Sequence, residues 1–144
     1  MTDLKDLCMI TDALYQADLA RLQEINAQEA TILHQMRELE GEVRRAAALV
    51  NDEATALKQL GGDLLWKAWA GRKRQSLNQE LARLRAQKEG ALRALEKSFG
   101  KNSVSRDLRN QARQNRIREG VVRSLADEQA HMILRATSAK HTQR

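Results

Sequence analysis

Few residues in this chain stand at a spacing that could do chemistry. His34, His131 and His141 are scattered, and none has a second His or a carboxylate at the interval that zinc or a di-metal centre requires. Glu38 and Glu42 could in principle form an acid–base pair, but four apart on one helix they read as a solvated face. Gly61-Gly62 lacks the Gly-Lys-Ser/Thr ending with which a phosphate loop closes on a nucleotide. Cys8 is the only cysteine, so it has no disulfide partner in the chain and reads as a small apolar filler. No catalytic residue, metal ligand or cofactor-binding residue is expected, and no small-molecule ligand.

Two other constellations remain, and both suit recognition. Trp66 and Trp69, three apart and followed by Lys73 on the same helical face, could either plug the end of a helical pair by packing on Leu57 and Leu60 or stand exposed as an interface anchor. Their basic surround, Lys67, Arg72, Lys73 and Arg74, fits the second reading. Arg106, Arg109, Arg113, Arg116 and Arg123 follow steps of three, four, three and seven and form a ladder along one helical face. Such a ladder could track a nucleic-acid backbone, but no aromatic interleaves it to stack on bases, and nucleic acid is not expected as the partner. Pairing with acidic side chains, in this chain or another protein, is the expected use.

The elements that must position these groups are long helices. The chain of 144 residues has no proline and only four aromatic residues, and Ala, Leu, Glu, Gln, Lys and Arg dominate it. From Leu22 a seam alternates steps of three and four: Leu22, Ile25, Glu29, Ile32, Met36, Leu39, Val43, Ala46, Val50, Glu53, Leu57, Leu60. Before Leu22 the same phase falls on Asp18 and Thr11, whereas Leu7, Leu14 and Leu19 lie one position off, so a phase slip is expected near residues 18 to 19. A second heptad runs through Leu77, Leu81, Leu84, Lys88, Ala91, Leu95 and Ser98, broadened by Leu92 and Phe99. Val104, Leu108, Ala112, Val122, Leu125 and Met132 are expected to continue it.

The expected fold is all-α, a long antiparallel two-helix coiled-coil hairpin spanning 1–144 as a single unit. Helix 1 is placed at about 3–60, the tip at 61–63, where two glycines precede Asp63 as an N-cap, and helix 2 at about 64–136. Gly100 to Ser103 is a possible second break, and 137–144 a frayed tail. With the turn centred on residue 62, facing positions add to about 124, which sets the arginine ladder opposite 18, 15, 11, 8 and 1, near Asp18, Asp12, Asp6 and Asp3. Residues 1–62 hold 6 Lys and Arg against 11 Asp and Glu, and residues 63–144 hold 19 against 8, so the first arm is acidic and the second basic. Opposite charge favours folding back over parallel pairing of like arms. No apolar run reaches the roughly 18 residues that span a bilayer, and the first residues lack a signal peptide's basic start and apolar middle, so a cytoplasmic location is expected.

Leu64-Leu65-Trp66-Lys67-Ala68-Trp69, Leu77-Asn78-Gln79-Glu80-Leu81-Ala82 and Ala91-Leu92-Arg93-Ala94-Leu95, in two long helices of this total length, resemble the FliJ/YscO-like stalk proteins of flagellar and related type III export. The resemblance implies a two-helix coiled coil similar to the central stalk of rotary ATPases. It implies an export ATPase hexamer and an export gate protein as partners, with substrate chaperones in some members, and a peripheral location at the inner-membrane export apparatus. Carried onto this chain, it sets Trp66, Trp69 and Lys73 on the gate side, and Arg109, Arg113 and Arg116, near the termini, on the ATPase side. The residue pattern by itself leaves open a self-associating cytoplasmic adaptor or scaffold.

Overall fold

An apolar residue at every third and fourth position can be buried only if the helix finds another helix to lie against, and the chain supplies that partner itself. The computed structural model describes residues 2–49 and 53–141, with side-chain surroundings for 3–48, 62, 64–136 and 138. The fold is all-α, two long helices packed antiparallel: α1, Thr2–Leu49, and α2, Glu53–His141. Asp3 in the first turn of α1 meets the positive end of the helix dipole. The packing divides into two units, Leu14–Phe99 and Met1–Ala13 with Gly100–Arg144.

In the unit Leu14–Phe99 the core is a seam. Ile25, Ile32 and Leu39 of α1 interlock with Ala70, Leu77, Leu81, Leu84 and Ala91 of α2, and Leu22, Met36, Val43 and Trp66 close over them. Each buried Leu or Ile contributes roughly 1.5–3 kcal/mol by leaving water. Glu29 is a charged residue in the α1 seam. Its two carboxylate oxygens accept from Lys88 Nζ at 2.8 Å and Arg85 Nε at 3.1 Å. The hydrogen bond from Lys88, then that from Arg85, holds the carboxyl below its ordinary value. Arg74 reaches Glu40 at 3.2 Å, and the Tyr15 and Phe99 rings meet at 5.9 Å.

In the other unit the seam positions are polar and still buried. Thr11 Oγ1 and Ser105 Oγ are 2.8 Å apart, one donating to the other. The Thr11 hydroxyl also lies 2.9 Å from the Leu7 carbonyl and the Ser105 hydroxyl 2.8 Å from that of Asn102. Cys8 Sγ donates to the Ser105 carbonyl at 3.3 Å. Asn102 Nδ2 and Arg106 both donate to Asp12 Oδ1, at 3.3 and 2.8 Å. Asn102 Oδ1 is buried without a partner.

Five expectations are corrected here. The helices part between Leu49 and Glu53, and α2 runs unbroken through Gly61-Gly62-Asp63. Glycine lowers helix propensity by about 1 kcal/mol but does not forbid helix, so a pair of them does not compel a turn. Second, Glu40 pairs with Arg74 and Glu29 with Arg85, each adding to 114 rather than 124, because layers of side chains set the register. Third, the slip at residues 18 to 19 is not there: half-buried Asp18 and Tyr15 and buried Thr11 and Cys8 continue the phase of Leu22, while Leu7 and Leu14 are exposed. Fourth, Gly100 to Ser103 is helical, with Asn102 in the seam. Last, α2 continues to His141, past the expected end at 136. The proposed seam positions Val50, Glu53, Leu57 and Leu60 and the cap at Asp63 lie outside the described side chains.

Candidate partner-binding surfaces

The tryptophan pair belongs to the unit Leu14–Phe99. Since α2 begins at Glu53, Trp66 and Trp69 stand more than three turns inside it, not at its start. Trp66 is half-buried against the apolar core, whereas Trp69 is 44% exposed and Lys73 is exposed. One indole thus packs on the seam and the other faces outward; Leu57 and Leu60, on which the pair was expected to pack, lie outside the described side chains. Arg74, expected among the basic rim, has its guanidinium on Glu40.

The arginine ladder belongs to the other unit. Cys8 meets Ser105 and Asp12 meets Asn102, so α2 runs out of α1 to lean on a few residues past Arg109. Arg106 alone of the ladder finds a carboxylate, Asp12, and not the Asp18 that a register of 124 would supply. Among the described residues Arg109, Arg113, Arg116 and Arg123 have no ion pair. The ten-residue shift in register leaves Arg116 and Arg123 beyond the start of α1. Where α1 begins, a groove of about 650 Å³ lies along α2, lined by Leu4, Ala112, Lys5, Arg109, Arg113 and Arg116.

From residue 113 to 136 every residue is exposed. Among them Ile117, Val121, Val122 and Leu125 are each more than half exposed, as is Met132. Of the apolar stripe expected to extend the seam, Ala112 is half-buried and does so, whereas Val122, Leu125 and Met132 have no partner helix among the described residues, and Val104 and Leu108 sit on the flank of the seam, exposed. Sequence reasoning found these exposed residues but assigned them the wrong role. The buried polar layer at Asn102 and Ser105 it missed altogether, although Ser98 and Ser105 keep the heptad spacing of Leu77, Leu84 and Ala91, and Asn102 that of Leu81, Lys88 and Leu95.

No group of three or more His, Cys, Asp or Glu among the described residues could hold a metal ion. His34 Nε2 lies 3.3 Å from Glu38 on an exposed face, Glu42 is exposed, His131 is exposed, and His141 lies outside the described side chains. No described helix is long and apolar enough to cross a membrane. No family model, curated protein or solved structure matches the chain.

Proposed function

We propose that this chain is a non-enzymatic coiled-coil stalk or escort component of a flagellar type III export apparatus, coupling an export ATPase hexamer to the export gate. The observation that carries the reading is the inequality of the helices. α1 has 48 residues and α2 has 89, and the seam they share leaves the end of α2 exposed and studded with arginines that have no ion pair among the described residues. A stalk needs both parts. The paired helices resist bending and transmit position, and the exposed end is received by another body. In this reading Arg109, Arg113 and Arg116 engage the ATPase, Trp69 with Lys73 faces the gate, and Trp66 stiffens the seam beneath them. The protein works at the cytoplasmic face of the membrane, bound peripherally, with substrate chaperones as further partners and no cofactor.

The test is light scattering coupled to size exclusion, on the chain alone and with the export ATPase of the same organism. A monomer that co-elutes with the ATPase and loses it on Arg109→Glu with Arg113→Glu supports the proposal. A species indifferent to the ATPase sinks it. One observation favours a second reading, a self-associating adaptor. Leu7 and Leu108 stand on the flank of the seam opposite the Asp12–Arg106 pair, with Ile10 and Val104 exposed nearby. A stable dimer in the same experiment, lost on Leu7→Asp with Leu108→Asp, would select it.

A further inference from the structure

The end of α2 carries two features that a single kind of ligand satisfies. The first is apolar. Ile117, Val121 and Leu125 recur every fourth residue on one helical face, Val122 widens it, and each is more than half exposed. Isolated exposed aliphatics are ordinary, but a row at helical spacing is the pattern by which one helix receives another. The second is charge. Between residues 109 and 125 the chain carries Arg109, Arg113, Arg116, Arg118 and Arg123 against the single acid Glu119, and none of these arginines has an ion pair among the described residues.

The two features are interleaved. Arg113 precedes Ile117 by four residues, and Arg118 precedes Val121 by three and Val122 by four, so guanidinium groups border the apolar row along its length. The groove at the start of α1 extends the same surface, with Leu4 and Ala112 as its apolar part and Lys5, Arg109, Arg113 and Arg116 as its cations.

We propose that residues 109–125 of α2 are a docking surface for an acidic amphipathic helix of another protein. Its apolar residues lie on Ile117, Val121 and Leu125 and its flanking carboxylates on the arginines. Charge selects this occupant. A second copy would bring five more arginines against one acid onto the same surface, and like charges facing across a helical pair repel. Nucleic acid would use the cations but would leave the aliphatic row facing phosphate or water, with no aromatic to stack on bases. An acidic amphipathic helix satisfies both features, and Arg, whose planar fork suits carboxylates, is the cation present throughout. This names the chemistry of the partner for the arginine face of the proposed function and rests on that reading for its biological setting. Its test uses no export component, so a failure in that test is distinguishable from a failure of the stalk reading.

The probe is a fluorescein-labelled synthetic helix of about 28 residues, with Leu at the core positions and Glu at the flanking ones, titrated with the full chain and read by anisotropy. Three comparison probes are the same helix with Lys for Glu, poly-glutamate of equal length, and a duplex DNA of about 20 base pairs. The acidic helix is expected to bind at micromolar concentration, at least about tenfold more tightly than each of the others. Val121→Asp with Leu125→Asp, and separately Arg113→Glu with Arg116→Glu, should each weaken it about tenfold. All four side chains are exposed, and circular dichroism should show the helix content unchanged. No binding of the acidic helix, tighter binding of DNA, or affinity indifferent to both double substitutions would overturn the proposal. A dimer of the chain alone that Leu125→Asp dissociates would also overturn it, by making a second copy the occupant.

Discussion

Glu29 shows how a carboxylate can occupy a coiled-coil seam. Its side chain is only 14% exposed, and it stays ionised because Lys88 and Arg85 both donate to it. Those bonds depress its pKa, so the stability they contribute is present above the ordinary carboxylate range and is lost as pH falls through the depressed value. Glu29→Gln should therefore lower the melting temperature at neutral pH, with the gap to the parent narrowing as the medium is acidified below about pH 4. A gap that stays constant down to pH 2 would mean that packing, not charge, is what the substitution removes. Asn102 makes the opposite case. Its amide nitrogen serves Asp12, which Arg106 already serves, while its carbonyl oxygen is buried with no donor. Leaving a polar atom buried and unsatisfied costs about 1–3 kcal/mol, so Asn102→Leu should stabilise the chain, by roughly 1 kcal/mol in chemical denaturation. Its presence in the seam is then a matter of specificity, since a polar residue at one core position penalises registers that would bury it against an apolar layer. Destabilisation of a kcal/mol or more on Asn102→Leu would show instead that the bond to Asp12 outweighs the orphaned oxygen.

At the scale of the helices, glycine divides what sequence could reveal from what it could not. The three-and-four spacing from Leu22 to Val43 and from Leu77 to Ala91 announces two helices and their buried faces, because nothing but a helix gathers those residues on one side. Where the helices end is a weaker signal. Gly61-Gly62, a pair of a residue type that favours helix ends, lies inside α2. The misplaced tip then shifted the register by ten residues, gave Arg106 the wrong carboxylate and hid how much of α2 is left without a partner. Local propensity lost to the packing of the whole seam, which is long enough to outweigh about 1 kcal/mol for each glycine. Substitution separates the two cases. A Cβ added at Gly62 or at Gly100 meets nothing within 4 Å, and neither has the positive φ that a turn glycine adopts. Gly62→Ala and Gly100→Ala should each raise stability by about 0.5–1 kcal/mol in chemical denaturation, mostly by restricting the unfolded chain. Loss of stability in the Gly62 variant would restore the glycine tip, since alanine at a left-handed turn position is strained.

Across the whole molecule the argument turns on what holds the end of α2 in a helix. Up to about Ala112 the backbone hydrogen bonds of α2 are backed by a seam, apolar at Leu77 and Leu84 and polar at Asn102 and Ser105. Beyond it every described side chain to residue 136 is exposed, so no buried seam backs the helix there, and a segment of this length is marginal in water without a partner. Hydrogen exchange on the full chain should therefore divide α2. Amides between Leu77 and Ser105 should exchange only through cooperative opening, whereas those from Arg118 to Arg135 should exchange within orders of magnitude of the unstructured rate. Addition of a protein that docks on Ile117, Val121 and Leu125 should slow exchange in the second group and leave the first unchanged, because the seam gains no contact. Strong protection through Arg135 in the chain alone, at a concentration where light scattering shows a monomer, would mean that the end of α2 folds back onto its own chain. It would then not be available to any partner, and the stalk reading and the docking surface would fall together.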